Sequence, residues 1–303
     1  MNKRLAGAVD IGGTKILVGI VDDKGNVHEQ NVFPTITGEG GAEKSSVIIV
    51  ENLRYQARKM SIPFDDLEGI GIACAGPVDS AKGIVKNPYT LSGWDGCSLV
   101  GLMTELSGLK SSIENDVNGA LLGEVYLRGL ENNRVMMVSF GTGIGVAVCY
   151  YGKLHLLGEH FHPEMGHTIV DNDGPDCYCG HKGCFESMWS GAALNHRAAE
   201  IGFTGFDNLF EAWKNGNPVA SEFMGVAKRQ FKNGIWNLMT VFKPDTLILG
   251  GGLMKSYFNF AEELIGEDLL GAYDFVENYR VLEACKVADS ALVGASRLIF
   301  AKV

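Results

Sequence analysis

The chain has 303 residues, 46% of them hydrophobic and 20% charged, with a formal net charge of −10 at pH 7. That length suffices for about two domains with ordinary cores and no covalent staples. The acidic balance, with no lysine/arginine-rich arm to offset it, argues against non-specific nucleic-acid or anionic-membrane partners, and no stretch approaches the roughly 18 apolar residues of a spanning helix.

The opening MNKRLAGAVDIGG has a short basic start, but Asp10 breaks its apolar run, so it does not read as a secretory signal. Ala6–Asp10 is expected as a strand, GGT as a turn, Lys15–Val21 as a second strand and DDKGN as a hairpin turn. Helical spacing of Val47, Val50, Leu53 and Ala57 predicts a helix over 43–60, leading to a loop at Pro63. Gly69–Ala75 reads as a buried strand ending at Gly76-Pro77. A helix over 99–106, a strand over 111–114 and a helix over 117–127 follow.

After Asn132-Asn133 the pattern restarts, with a strand Arg134–Phe140, a GTGIG turn and a strand Val146–Tyr150. Helices are expected over 192–200, 206–215 and 218–242, then a short strand Thr246–Leu249 running into Gly250-Gly251-Gly252, and helices over 258–265 and 291–301. Two α/β units with glycine turns at matching places predict a duplicated α/β fold with a cleft between lobes. The 40 glycines gather where apolar runs end, which in open α/β sheets is where ligands bind.

In DIGGTK, paired Gly12 and Gly13 let backbone N–H groups face phosphate oxygens, Thr14 and Lys15 add donors, and Asp10 can hold magnesium. An ordinary hairpin turn is the plainer reading. Gly141, Thr142 and Gly143 repeat the pattern, and Gly251 and Gly252 close a strand where a flat adenosine could pack. Neither turn has Walker A spacing, and each leads to a strand rather than a helix. In SSIENDVNGALLGE, Asp116 opens a helix, where it can serve as N-cap, as the base that takes a proton from an attacking hydroxyl, or as both.

Of seven cysteines, Cys74, Cys97, Cys149 and Cys285 lie in apolar or mixed segments and are expected as buried, inert thiols. Free thiols fit a cytoplasmic protein. His167, Cys177, Cys179 and Cys184 have the types and spacing of a Cys₃His zinc site, with His181 as an alternative imidazole. A CxC pair is not a CxxC redox motif, and a lone disulfide would leave one thiol over. A filled shell leaves no position for a catalytic water, so the metal is read as structural. Glu164 and Glu186 flank the ligands, and a cation pinning both segments would hold two rigid carboxylates suited to vicinal hydroxyls; two solvated glutamates are the alternative.

ACAGPVD, NPYTLSGW, ENDVNGA, GTGIG, PEMGH, CYCGHKGCFES and LGGGL, between DIGGTK (10–15) and DSALVGAS (289–296), resemble the ROK family of repressors, open reading frames and sugar kinases. The resemblance implies a two-lobed, actin-like (ribonuclease-H-like) α/β fold. Its N-terminal lobe would span residues 1–117, with a C-terminal helix at about 289–303 returning to it, and a larger lobe with the zinc loop would span 118–288. It implies transfer of the ATP γ-phosphate to a hexose, at the 6-hydroxyl, with Mg²⁺ and structural Zn²⁺, in a homodimer or homotetramer. Asp116 would be the catalytic base, and Gly76, Asn87, Asn115, Glu164, His167 and Glu186 would line the sugar pocket. Gly12, Gly13, Thr14, Lys15, Gly141, Thr142 and Gly143 match phosphate loops, and Gly251 and Gly252 match the adenosine site. Glucose is the favoured acceptor, followed by N-acetylmannosamine or N-acetylglucosamine and then fructose, of which PEMGH is reminiscent. Repressors of the family carry a helix-turn-helix domain ahead of the first glycine turn. With nine residues before Asp10 none is expected here, and an intact Asp116 argues against a non-catalytic sensor.

Overall fold

A computed structural model describes residues 3–156, 162–266, 279–284 and 290–300. The chain divides into two compact units, Met1–Asn133 with Ala147–Pro163 and Cys285–Val303, and Arg134–Val146 with Glu164–Ala284. Cys285 and two ends of predicted motifs, Asp289 and Ala301, lie outside the described residues.

The first unit opens with β1 (Leu5–Ile11), β2 (Lys15–Asp22), β3 (Val27–Pro34) and α1 (Gly41–Lys59). β4 (Ile70–Cys74), a small hairpin of β5 (Val78–Asp79) and β6 (Ile84–Val85), α2 (Leu99–Ser107), β7 (Ser111–Asn115) and α3 (Asp116–Leu127) follow. The sheet runs β3-β2-β1-β4-β7, antiparallel across the first three strands and parallel from β1 to β7. Central β1 and β4 are apolar and buried, as strands covered on both faces must be, except at half-buried Asp10 in β1. β3 alternates half-buried and exposed positions, which suits an edge. On α1 the buried stripe runs through Ile49, Val50, Leu53 and Ala57, whereas Val47 is off it and 40% exposed.

The second sheet follows the same plan. β8 (Arg134–Phe140), β9 (Ile144–Tyr150) and β10 (Lys153–Leu154) precede four helices, α4 (Phe185–Trp189), α5 (Gly191–Glu200), α6 (Phe206–Lys214) and α7 (Pro218–Phe242). β11 (Thr246–Gly250), α8 (Met254–Gly266) and β12 (Arg280–Glu283) complete it, in the order β10-β9-β8-β11-β12. β8, β11 and β12 pair in parallel. Its core holds Phe140, Phe185, Trp189 and Phe231, with Trp189 and Phe231 ring centroids 4.6 Å apart.

α9 (Ser290–Phe300) belongs to the first unit, packing on α3, β1 and β4. Leu292, Val293 and Ala295 are fully buried with Ala8, Val21 and Ala73. Only glycine allows this approach at 294, because a Cβ there would lie 1.7 Å from the Gly119 carbonyl oxygen. No helix among the described residues is long and apolar enough to cross a membrane.

Candidate active site and metal centre

In the first unit, the turn after β1 carries Gly12 and Gly13, with Thr14 and Lys15 exposed beyond them. The turn is closed by Gly12 N–H donating to the Lys15 carbonyl (2.9 Å) and fixed by Thr35, whose hydroxyl donates to the Gly12 carbonyl (2.7 Å). Asp10, near the end of β1, has its carboxyl pushed up to about 7 by burial and by the charge of Asp116, against the pull of Lys15.

β7 ends in Asn115, which caps α3: its Oδ1 accepts from the N–H groups of Val117 (2.9 Å) and Asn118 (3.4 Å). The cap is thus Asn115 rather than Asp116, which stands at the first helical position and accepts from Val117 N–H at 2.9 Å. Burial raises the Asp116 carboxyl above the usual range, while that hydrogen bond and the charge of His162 pull the other way. Glu114, which sequence reasoning passed over, supports the turn. Its Oε1 accepts from Asn115 N–H (2.7 Å) and Asn118 Nδ2 (3.0 Å). Gly76 lies against Asn115 and His162, the latter also missed. Asn87 is buried with its amide engaged locally, donating to the Ala75 carbonyl and Thr90 hydroxyl and accepting from Tyr89 and Thr90 N–H.

Cys74 and Cys149 are buried as expected, and burial pushes the Cys149 thiol up to about 11. Cys97 differs. It is half-buried, in the loop between β6 and α2, where its carbonyl pairs with Val85 N–H.

In the second unit, the ligand atoms of His167, Cys177, Cys179 and Cys184 all lie within 4.8 Å of one another. His167 Nδ1 is 3.4 Å from Cys177 Sγ, and Cys179 and Cys184 Sγ are 3.5 Å apart. These spacings match the edges of a tetrahedron with metal–sulfur bonds of about 2.3 Å, and they exclude a disulfide of about 2.05 Å. His181 is exposed and contributes its carbonyl, which accepts from Cys177 N–H at 2.8 Å.

Directly after Cys184, α4 is anchored by Phe185, edge-on to Phe140 at 5.8 Å, and by Trp189, whose indole donates to the Ala227 carbonyl at 2.7 Å. Glu186 between them accepts from Ile144 N–H at 2.6 Å, in the turn that follows β8. That turn carries Gly141, Thr142 and Gly143, and a Cβ at 143 would meet Glu186 Oε2 at 2.4 Å, so a larger residue there would displace the Glu186 carboxylate. Tyr178, another residue absent from the sequence reading, has its hydroxyl 3.1 Å from His167 Nε2 and hydrogen-bonds the Glu186 carboxylate, with exposed Glu164 acting on it electrostatically. Gly251 and Gly252 follow β11, where Leu253 N–H bonds the Phe140 carbonyl at 3.0 Å.

Comparison with known proteins agrees with this architecture. A glucokinase of Thermotoga maritima is 26% identical, with 96% of each chain covered, and an N-acetylmannosamine kinase of Vibrio vulnificus is 28% identical over 95% of this chain and 96% of its own. Among solved structures, a ROK hexokinase from Thermus thermophilus superimposes with a TM-score of 0.83 at 27% identity, covering 98% of both chains. A ROK family glucokinase from Streptomyces griseus, in complex with glucose and AMPPNP, gives 0.72 at 28% identity, covering 97% of this chain and 98% of its own. The fold is that of these α/β, actin-like enzymes. The ROK family model matches residues 6–302, and the chain belongs to the ROK family.

Proposed function

We propose that the protein is an ATP-dependent sugar kinase that phosphorylates a hexose, glucose first, at its 6-hydroxyl. The observation that carries this reading is Asp116. Its carboxyl accepts from Val117 N–H at a helix start that Asn115 caps and Glu114 supports, is raised in pKa, and acts on Asp10 beside a glycine turn.

Phosphoryl transfer asks little covalent chemistry of the protein beyond positioning, charge neutralisation and one proton acceptor. Asp116 takes the proton of the acceptor hydroxyl as its oxygen attacks the γ-phosphorus and ADP leaves. Its elevated pKa makes it a stronger base than a solvated aspartate. Asn115, Gly76 and Asn87 shape the acceptor side of the first unit. Glu164, His167 and Glu186 recognise sugar hydroxyls in the second. Gly12, Gly13, Thr14 and Lys15, with Gly141, Thr142 and Gly143, bind nucleotide phosphate, and Gly251 and Gly252 border the adenosine. Asp10 would hold magnesium, which when bound neutralises phosphate charge. His167, Cys177, Cys179 and Cys184 would hold a structural Zn²⁺, and four soft or borderline donors at tetrahedral spacing support that choice. A homodimer or homotetramer in the cytoplasm completes the proposal.

N-acetylmannosamine is the second acceptor, favoured by the relative of that name; N-acetylglucosamine and fructose follow. A coupled ADP-release screen over these sugars tests the reading. Glucose should give the highest kcat/KM, and absence of ADP release with every sugar would overturn it.

A further inference from the structure

Tyr178 lies between two of the clustered cysteines and is 69% exposed, yet its hydroxyl has polar partners on the protein. It sits 3.1 Å from His167 Nε2, hydrogen-bonds the Glu186 carboxylate and lies within electrostatic reach of Glu164. Its ring stands edge-on to the imidazole, with centroids 5.1 Å apart at 84°. The other imidazole nitrogen, Nδ1, faces Cys177 Sγ at 3.4 Å. With Nδ1 turned to the cysteine cluster as a ligand, Nε2 carries the proton and donates it. The phenol oxygen accepts that hydrogen bond and its own O–H goes to Glu186. Accepting from an imidazole while donating to a carboxylate is how a sugar hydroxyl would engage the same two groups.

We propose that Tyr178 is a resident stand-in for a substrate hydroxyl, holding the His167–Glu186 pair in the free protein until an acceptor polyol displaces it. This rests on the reading of Glu164, His167 and Glu186 as the hydroxyl-recognising set. Because the ring is mostly exposed, its departure uncovers little apolar surface. The exchange is one of hydrogen bonds, phenol for sugar. Tyr178 therefore opposes sugar binding and favours acceptors whose hydroxyls satisfy both groups at once.

The test compares wild type, Tyr178→Phe and Tyr178→Ala as metal-loaded full-length enzyme. Calorimetric titration with glucose and with N-acetylmannosamine, without nucleotide, is paired with steady-state kinetics and metal analysis. Losing one or two modest hydrogen bonds from the free state should tighten sugar Kd and lower KM by about 3–10-fold. kcat should be no lower, and metal content per chain should match wild type. In wild type alone, sugar binding should also perturb the near-ultraviolet tyrosine signal. A Kd that is unchanged or weaker in both variants overturns the proposal while leaving the kinase reading intact. Loss of metal in both would make Tyr178 a support of the loop and likewise overturn it. Wild type that neither binds nor phosphorylates any hexose removes the reading underneath, and the proposal with it.

Discussion

Burial and the charge of Asp116 raise the Asp10 carboxyl, and this makes the first unit pH-sensitive. Asp10 has a folded pKa of about 7 against an ordinary value of 3.8, so it holds its proton more tightly when folded. Its effect on stability is nil below about pH 4 and increasingly unfavourable as pH rises from 4 to 7. Asp10→Asn should therefore unfold at higher urea than wild type at pH 8 without nucleotide, by on the order of 4 kcal/mol at most. The two should converge near pH 4, and a less stable variant at pH 8 would contradict the assignment. Asp116→Asn keeps the shape and the Val117 contact but removes the proton acceptor. Sugar binding should persist by calorimetry while kcat falls about 10²–10⁴-fold; near-normal turnover would reject Asp116 as the base. ENDVN exposed Asn115 and Asp116 to sequence reading because a polar pair between an apolar strand and an apolar helix stands out. Which of them caps the helix was not legible, since that is decided by backbone geometry. His162 and Tyr178 were invisible for a related reason, since each matters through a partner away from it in sequence, and Glu114 because its bonds to Asn115 and Asn118 exist only once the strand-to-helix turn has formed.

At the scale of elements, the cysteine-rich loop and α4 are continuous, Cys184 directly preceding Phe185. The cysteine cluster fixes one end, and Phe185 and Trp189 fasten the other into an aromatic core. Glu186 is held between them against the turn after β8. Cys179→Ser should release about one zinc per chain and raise the sugar KM at least about tenfold, given what disturbing a metal shell costs its neighbours. Metal analysis beside kinetics checks this, and an unchanged KM in metal-free protein would separate the loop from the sugar. Long apolar strands and α7 matched their sequence signals closely because burial on both faces, or along a stripe, writes itself into composition. β3 carries too few apolar residues to declare itself, and α4, at five residues, is too short for any period to show.

For the whole molecule, the duplication of an α/β unit was legible in the repeated strand–turn–strand pattern, but the sheet orders, which include β3, β10 and β12, were not. The division between the two compact units falls within β9, which is one continuous strand. Removing residues 290–303 should strip Leu292, Val293 and Ala295 from the first unit's core. Leu292 and Val293 at roughly 2 kcal/mol each, with about 0.8 kcal/mol for the Ala295 methyl, reach the lower end of the stability of a typical domain. The shortened protein should fail to unfold cooperatively on heating, and a sharp transition at the wild-type temperature would show α9 to be dispensable.

That helix also sets a timetable for the nascent chain. The second unit is translated in full before residues 290–300 leave the ribosome, so the first must wait with a bare apolar groove beside Ala8, Val21 and Ala73. During synthesis the segment that starts first is sealed late, and chaperones would find their binding surface there.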